Sequence, residues 1–287
     1  MVYQAKKIKS YAKINLFLKV VKKIGNYHKL YSLVTQINLF DEIFIKENIS
    51  TRDNLIFSGK YNIKIKNNII LKLLSSLRKE FPILKNKNFD IYVKKNIPPG
   101  SGLGGASSNA TSIFMYIKKK YNLKISKKKS IKLLVNIGKD CPLFLNTKIK
   151  LIKSFGEYFV EFINKPRIQM LLIYPEYNLS TKKVFSKFRK SSNISYKKSI
   201  NFTNKEKLIE ISKFYGNDLQ YSALKIVPKL QTIIKSISKM DHIKLCSMTG
   251  SGSVFFVISD KKKFLLNVQK MIKKQRKSFW TKIVKTV

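Results

Sequence analysis

Residues 96–110 read NIPPGSGLGGASSNA, with four glycines and three serines in fifteen positions. Glycine loses more conformational freedom on folding than any other residue. A cluster of it therefore marks a tight turn, a close approach to the backbone, or a flexible stretch. The flanking residues choose among these. FDIYVKKNI (89–97) alternates Phe89, Ile91 and Val93 and predicts a strand entering the loop. SSNATSIFMYIKKKY (107–121) sets Ala110, Ile113, Phe114 and Ile117 on one side, behind small polar residues that suit a helix N-terminus. Strand, glycine loop, helix is the order in which backbone N–H groups and a helix N-terminus cradle phosphate. A plain flexible turn is the competing reading, and the organised order Pro98-Pro99, glycines, SSNA argues against a linker.

Three phosphate-loop types compete. A Walker loop requires lysine and then serine or threonine after its last glycine, whereas Ala106 and Ser107 follow Gly105. The dinucleotide fingerprint G-x-G-x-x-G is met by Gly100, Gly102 and Gly105. The acidic residue it needs about 20 positions on is missing, because 121–135 contains none. The protein-kinase loop lacks its HRD-like and DFG-like partners.

Outward from the loop, residues 8–22 predict a strand and 33–47 one or two more. NNIILKLLSSLRKEF (67–81) has helical spacing up to Pro82, and 126–138 carries a further helix. FGEYFVEF (155–162) and IQMLLIYP (168–175) read as strands, and 188–199 as a long polar loop. Two helical stretches cover 204–219 and 225–240, KLCSMTGSGSVFFVIS (244–259) is strand, glycine turn and strand, and 261–277 closes as a helix. Strands and helices mix without a regular βαβ repeat, which predicts an α+β fold. The best domain break falls near 150–165, giving units of 1–160 and 161–287.

The 287 residues suffice for a substantial core, and no run approaches the roughly 18 apolar residues of a membrane span. INLFLKVV superficially mimics a secretory core, but Lys22 and Lys23 stand where a small-residue cleavage site belongs. Cys141 and Cys246 form neither a disulfide framework nor a zinc pattern, and two histidines make a histidine metal centre unsuitable. These features predict a cytoplasmic protein without a membrane partner. The net charge of +44 comes from lysine scattered between Lys6 and Lys285 beside abundant isoleucine and asparagine, the bias of AT-rich codons. A nucleic-acid footprint would cluster on one face, so no specific nucleic-acid partner is expected.

PPGSGLGGASSNA (98–110) resembles the phosphate loop P-x-G-x-G-L-G-S/G-S-S of the GHMP family of small-molecule kinases. SYAKINLFLKV (10–20) resembles that family's first motif, and MTGSGSVFFV (248–257) its last glycine turn. Together with GNYHKL (25–30), GKDCPLF (138–144) and NDL (217–219), the pattern resembles the members acting on 4-diphosphocytidyl-2-C-methyl-D-erythritol. The resemblance covers most of the chain and is weak at 46–88 and 186–210. It implies a two-domain GHMP kinase fold with the active site between domains, as monomer or homodimer. The implied reaction is ATP-dependent phosphorylation of that substrate's 2-hydroxyl in the non-mevalonate route to isoprenoid precursors.

Asp140 lies between apolar runs in NIGKDCPLFL, where a carboxylate without a partner is costly, although a helix-capping aspartate is the local alternative. The resemblance makes it the catalytic aspartate that accepts or orients the hydroxyl proton. Lys13 sits between Ala12 and Ile14 inside an apolar strand, an unusual place for a solvated lysine. It would pair with Asp140, keep it ionised and neutralise transition-state charge. The resemblance assigns Lys13 a catalytic role and Asn15 a substrate contact.

Tyr27 and His28 suit a pyrimidine, one stacking and the other hydrogen-bonding the cytosine edge. Phe185 matches a second aromatic of that clamp, with a core position as its alternative. The resemblance assigns the ATP phosphates to Pro98, Pro99, Gly100, Ser101, Gly102, Leu103, Gly104, Gly105, Ala106, Ser107 and Ser108. Gly250 and Gly252 would close the site, and a hairpin turn explains them alone. Mg2+ is expected with the nucleotide. Its ligands are unknown, with Ser107 or Ser108 as candidates. Two departures from the family pattern stand out: Gly25-Asn26 where it writes Asp-Gly, and Lys139 at a position normally small.

Overall fold

A computed structural model describes residues 5–25, 27–61, 63, 68–177, 179–188 and 200–287, with only the backbone of Tyr27. In chain order the elements begin with β1 (Lys6–Ile24), β2 (Tyr27–Asn48), β3 (Asn54–Gly59), α1 (Ile69–Glu80) and β4 (Asn88–Lys95). Next come α2 (Gly105–Lys120), α3 (Lys127–Ile137), β5 (Ile149–Ser154), β6 (Tyr158–Phe162) and β7 (Gln169–Tyr174). Four helices follow: α4 (Thr181–Ser186), α5 (Lys205–Tyr215), α6 (Asp218–Ile226) and α7 (Lys229–Ser238). The chain continues through β8 (Ile243–Met248), β9 (Phe255–Ser259), α8 (Lys262–Gln275) and β10 (Trp280–Lys285).

Two compact units interleave along the chain. The first comprises residues 1–12, 39–99 and 104–147, and the second 13–38, 100–103 and 148–287. A single division at 160, which sequence order suggests, differs from this. The reason is that the early strands β1 and β2, 19 and 22 residues long, each contribute residues to both units.

In the first unit β4 runs antiparallel to the end of β2, with Ile43 opposite Val93, and parallel to β3, with Leu55 opposite Ile91. Helix α1 turns Ile70, Leu73, Leu74 and Leu77 inward at the spacing of one helical face. Asn68 caps it by accepting the Ile70 N–H at 2.9 Å. Helix α2 adds Ala110, Ile113, Phe114 and Ile117, and α3 adds Leu134 and Ile137 before Gly138 ends it. These side chains form one core, each buried Leu or Ile contributing about 1.5–3 kcal/mol.

In the second unit β5 pairs antiparallel with the start of β2 and with β6. A second sheet has the order β10-β7-β9-β8, all antiparallel. β7 lies inside that sheet, which is why Met170, Leu171, Leu172 and Ile173 form an unbroken buried run. Leu265, Val268 and Ile272 of α8 share a core with Leu171, Ile173 and Val257.

The α+β class holds: helices and mainly antiparallel strands without a βαβ series. Of the one or two strands expected at 33–47 the structure has one, part of β2. Two local expectations change. The segment 155–162 is a turn followed by β6, because Ser154 (φ +80°) and Gly156 (φ +103°) reverse the chain. The last helix is followed by β10, which continues the sheet beside β7. Of the polar loop expected at 188–199, residues 189–199 lie outside the described residues.

Candidate active site

The base of the glycine loop is fixed from β2. Asp41 is fully buried, and its Oδ1 accepts the N–H groups of Asn96 at 2.7 Å and Ile97 at 2.9 Å. Its Oδ2 forms an ion pair with Lys95, itself almost fully buried at the end of β4. The chain therefore leaves the strand in one direction. Gly104 then adopts a left-handed conformation (φ +71°) at the N-cap of α2, where no side chain caps the helix. The first intrahelical bond is Ser108 N–H to the Gly104 carbonyl at 2.9 Å. The N–H groups of Gly105, Ala106 and Ser107 thus precede that bond, and these groups with the helix dipole favour an anion. A Cβ on Gly105 would sit 3.0 Å from Ile97 Cγ2 and 3.3 Å from Lys95 Nζ, so the first turn packs directly on the loop base. Ser108 is buried and accepts the Ser10 hydroxyl at 2.7 Å, while Ala106 is exposed.

Asp140 belongs to the same unit. It opens a 3-10 turn, Cys141–Phe144, yet its carboxylate makes no capping hydrogen bond, so the structural capping role is not realised. It is partly exposed, and the adjoining Lys139 is exposed. The Thr111 hydroxyl on α2 lies 2.9 Å from the Ser107 carbonyl and 2.8 Å from the Cys141 carbonyl, fastening this turn to the start of α2. Gly138 permits the approach, since a Cβ there would meet Cys141 Sγ at 3.1 Å. Burial pushes the Cys141 thiol up to about 11, and the neighbouring Asp140 adds to this. The thiol is therefore inert at neutral pH.

In the second unit Lys13 is 5% exposed and donates from Nζ to Asn15 Oδ1 at 2.7 Å. Asn15 Nδ2 donates to Ser32 Oγ at 2.8 Å, and the Asn15 N–H to Thr249 Oγ1 at 2.8 Å. The glycine loop meets this cluster, because the Lys13 N–H donates to the Leu103 carbonyl at 2.9 Å. A Cβ on Gly102 (φ +79°) would lie 2.8 Å from the Thr249 carbonyl oxygen. Gly250 and Gly252 do form the turn of the β8–β9 hairpin, and they also pack here. A Cβ on Gly250 would lie 3.4 Å from Asn15 Oδ1 and 3.6 Å from Lys13 Nζ. Asn217 Nδ2 donates to the carbonyls of Met248 at 2.7 Å and Gly250 at 2.9 Å, fixing the turn.

His28 and Phe185 face each other with ring centroids 4.5 Å apart and planes tilted by 31°. Burial, helped by the positive charge of Lys23, lowers the His28 pKa below 6.5, so the ring is neutral at physiological pH. Phe185 is partly buried and packs against the core of its unit, the alternative the sequence offered for it. Its helix α4 is tied to the glycine turn by the Thr181–Ser251 hydroxyl pair at 2.9 Å. The Tyr27 side chain and Asn26 lie outside the described residues.

The expected residues therefore sort into two sets. Pro98, Pro99, Gly104 to Ser108 and Asp140 belong to the first unit. Lys13, Asn15, His28, Gly100 to Leu103, Phe185, Gly250 and Gly252 belong to the second. Sequence reading missed Asp41, Lys95 and Ser32, and gave no role to Thr249 and Asn217 although they lie inside the MTGSGS and NDL motifs. Asp41 carried the signal that singled out Asp140, a carboxylate inside an apolar run, INLFDEIFI.

The α+β fold with its uncapped, glycine-fronted helix N-terminus is a GHMP kinase fold. Residues 68–145 match the family described as GHMP kinases N terminal domain. A curated relative from Pelagibacter ubique, 4-diphosphocytidyl-2-C-methyl-D-erythritol kinase, is 34% identical over 98% of this chain and 99% of its own length. One of the same name from Petrotoga mobilis is 32% identical over 88% of this chain and 98% of its own. The chain belongs to the 4-diphosphocytidyl-2-C-methyl-D-erythritol kinase family. In fold it is similar to a crystal structure of 4-(cytidine 5'-diphospho)-2C-methyl-D-erythritol kinase, with a TM-score of 0.75 at 21% identity over 97% of this chain and 99% of that one. The mevalonate kinase of Methanococcus jannaschii superposes with a TM-score of 0.68 at 16% identity over the full length of both.

Proposed function

We propose that this protein transfers the γ-phosphoryl group of ATP to the 2-hydroxyl of 4-diphosphocytidyl-2-C-methyl-D-erythritol. The products are the 2-phosphate and ADP, in the non-mevalonate route to isoprenoid precursors. The observation that carries the reading is the full-length similarity to kinases of that name.

Phosphoryl transfer asks for positioning and for charge stabilisation more than for covalent help from the protein. Residues 98–108 are assigned the ATP phosphates, with the open N–H groups of Gly105, Ala106 and Ser107 as donors. Asp140 accepts or orients the proton of the attacking hydroxyl. Its partial exposure supports that role. Lys13 supplies positive charge to the transferring group, and Asn15 retains one amide proton and one lone pair for a substrate contact. Tyr27 stacks on the cytosine, His28, neutral, hydrogen-bonds its edge, and Phe185, whose ring faces His28, is the second aromatic of the clamp. Gly250 and Gly252 close over this region.

Among the described residues no group of three or more His, Cys, Asp or Glu side chains could hold a metal. That fits a Mg2+ ion held chiefly by the nucleotide's phosphate oxygens and water, with the Ser107 hydroxyl as the proposed protein oxygen. When bound, the ion neutralises charge on the phosphates. Among the described residues no helix is long and apolar enough to cross a membrane, and both cysteines are free. We place the protein in the cytoplasm on its cysteine usage, since two cysteines are too few for a disulfide framework.

The test is conversion of ATP to ADP with Mg2+, in the presence and absence of the diphosphocytidyl substrate, with the phosphorylated carbon identified by 31P and 13C NMR. Turnover that requires this substrate and modifies C2 is the expected result. Turnover with mevalonate or homoserine instead, or none in folded protein, would overturn the assignment.

A further inference from the structure

The hydrogen bonds around Lys13 form a chain whose direction is set by one buried hydroxyl. Ser32 Oγ lies 2.6 Å from the Phe17 carbonyl, which has no proton to give, so the Ser32 proton is committed there. The same oxygen lies 2.8 Å from the Asn15 amide and is left able only to accept. The NH2 end of Asn15 must therefore face Ser32, which turns Oδ1 towards Lys13 Nζ at 2.7 Å. Ser32 is fully buried and Asn15 nearly so, so water does not compete for these partners. The Asn15 N–H, held by Thr249 Oγ1, fixes the backbone from which the amide projects.

We propose that Ser32 is a positioning residue for phosphoryl transfer: it locks the Asn15 amide in the orientation that holds the Lys13 ammonium. Ser32 itself touches no substrate. Without its acceptor the amide loses one of the two bonds that tell its ends apart, and the Lys13 contact alone then holds Oδ1 towards the ammonium. The ammonium then samples positions away from the transferring phosphoryl group. The proposal rests on the charge-stabilising role assigned to Lys13.

The experiment is steady-state kinetics in ATP and 4-diphosphocytidyl-2-C-methyl-D-erythritol for Lys13→Met, Ser32→Ala, Ser32→Thr, Asn15→Ala and the Asn15→Ala/Ser32→Ala double variant. Ser32→Ala is expected to lower kcat about five- to tenfold, the factor that one ordinary hydrogen bond represents. The KM for ATP should stay within about twofold, and Ser32→Thr, which restores the hydroxyl, should recover kcat. In the Asn15→Ala background the second substitution should change nothing further, because the chain is already cut. Ser32→Cys, a weak acceptor of similar volume, carries the same expectation should Ser32→Ala not fold. An unchanged kcat in Ser32→Ala, or an equal loss with and without Asn15, would overturn the proposal while leaving an inactive Lys13→Met intact. Wild-type kcat in Lys13→Met would instead sink the role of Lys13, and the proposal with it.

Discussion

Replacing Gly102 with alanine tests how tightly the glycine loop is built into the second unit. Its φ of +79° alone disfavours an L-residue by about 1–2 kcal/mol. Space adds a second penalty, because the new Cβ would lie 2.8 Å from the Thr249 carbonyl and 3.1 Å from the Gly252 carbonyl. Both neighbours are backbone, so the turn itself must move, at a cost of about 1–3 kcal/mol. The sum is about 2–5 kcal/mol. Gly25 isolates the first penalty: its φ is +55° and nothing lies within 4 Å of an added Cβ, so Gly25→Ala should lose only about 1–2 kcal/mol. Urea unfolding followed by the fluorescence of Trp280, the single tryptophan and a residue of the same unit, reads the difference directly. Displacing Thr249 also disturbs its bond to Asn15, so ATP turnover should fall beyond any loss of stability. Gly102→Ala unfolding within about 0.5 kcal/mol of Gly25→Ala, with wild-type turnover, would refute the reasoning.

Two further outcomes follow from buried charge and from titration. Asp41→Asn leaves Lys95 as a buried, unpaired ammonium and should destabilise the first unit by about 3–5 kcal/mol. Adding Lys95→Met should restore part of that loss, and a double-mutant cycle by denaturant unfolding measures it. His28 has a lowered pKa, so the neutral ring persists from alkaline pH down through the ordinary imidazole midpoint of 6.5. The KM for the diphosphocytidyl substrate should therefore stay level from pH 8 to about 6.5 and rise only below it. A KM already rising above pH 7, with His28→Gln showing no such change, would contradict this. The stability sign agrees: holding His28 neutral stabilises the fold above the unfolded imidazole pKa, and this benefit is unaffected there. It declines as pH falls below that value.

The sequence yields the framework where a pattern repeats within one element. The face of α1, the alternation of β4 and the buried run of β7 each carry their own period, so helix and strand are legible without neighbours. β10 was hidden because WTKIVK follows a lysine-rich helix end and becomes a strand only by pairing with β7. β3 is six residues long and is defined by its parallel partner β4. The candidate site shows the same division. Glycine spacing and misplaced charges exposed the loop, Lys13 and Asp140. Ser32 and Asn217 are ordinary polar residues whose importance lies in bonds to positions distant in sequence, such as Asn217 to Gly250. No local signal announces a bond of that kind.

The most direct test of the account is single-turnover phosphorylation of 4-diphosphocytidyl-2-C-methyl-D-erythritol by wild type and Asp140→Asn, with both substrates saturating and their affinities measured alongside. The asparagine keeps the shape of the side chain and removes its basicity. The rate should fall by about 10²–10⁴-fold with both affinities held within about threefold. A rate near that of wild type would show that phosphoryl transfer here does not depend on the Asp140 carboxylate.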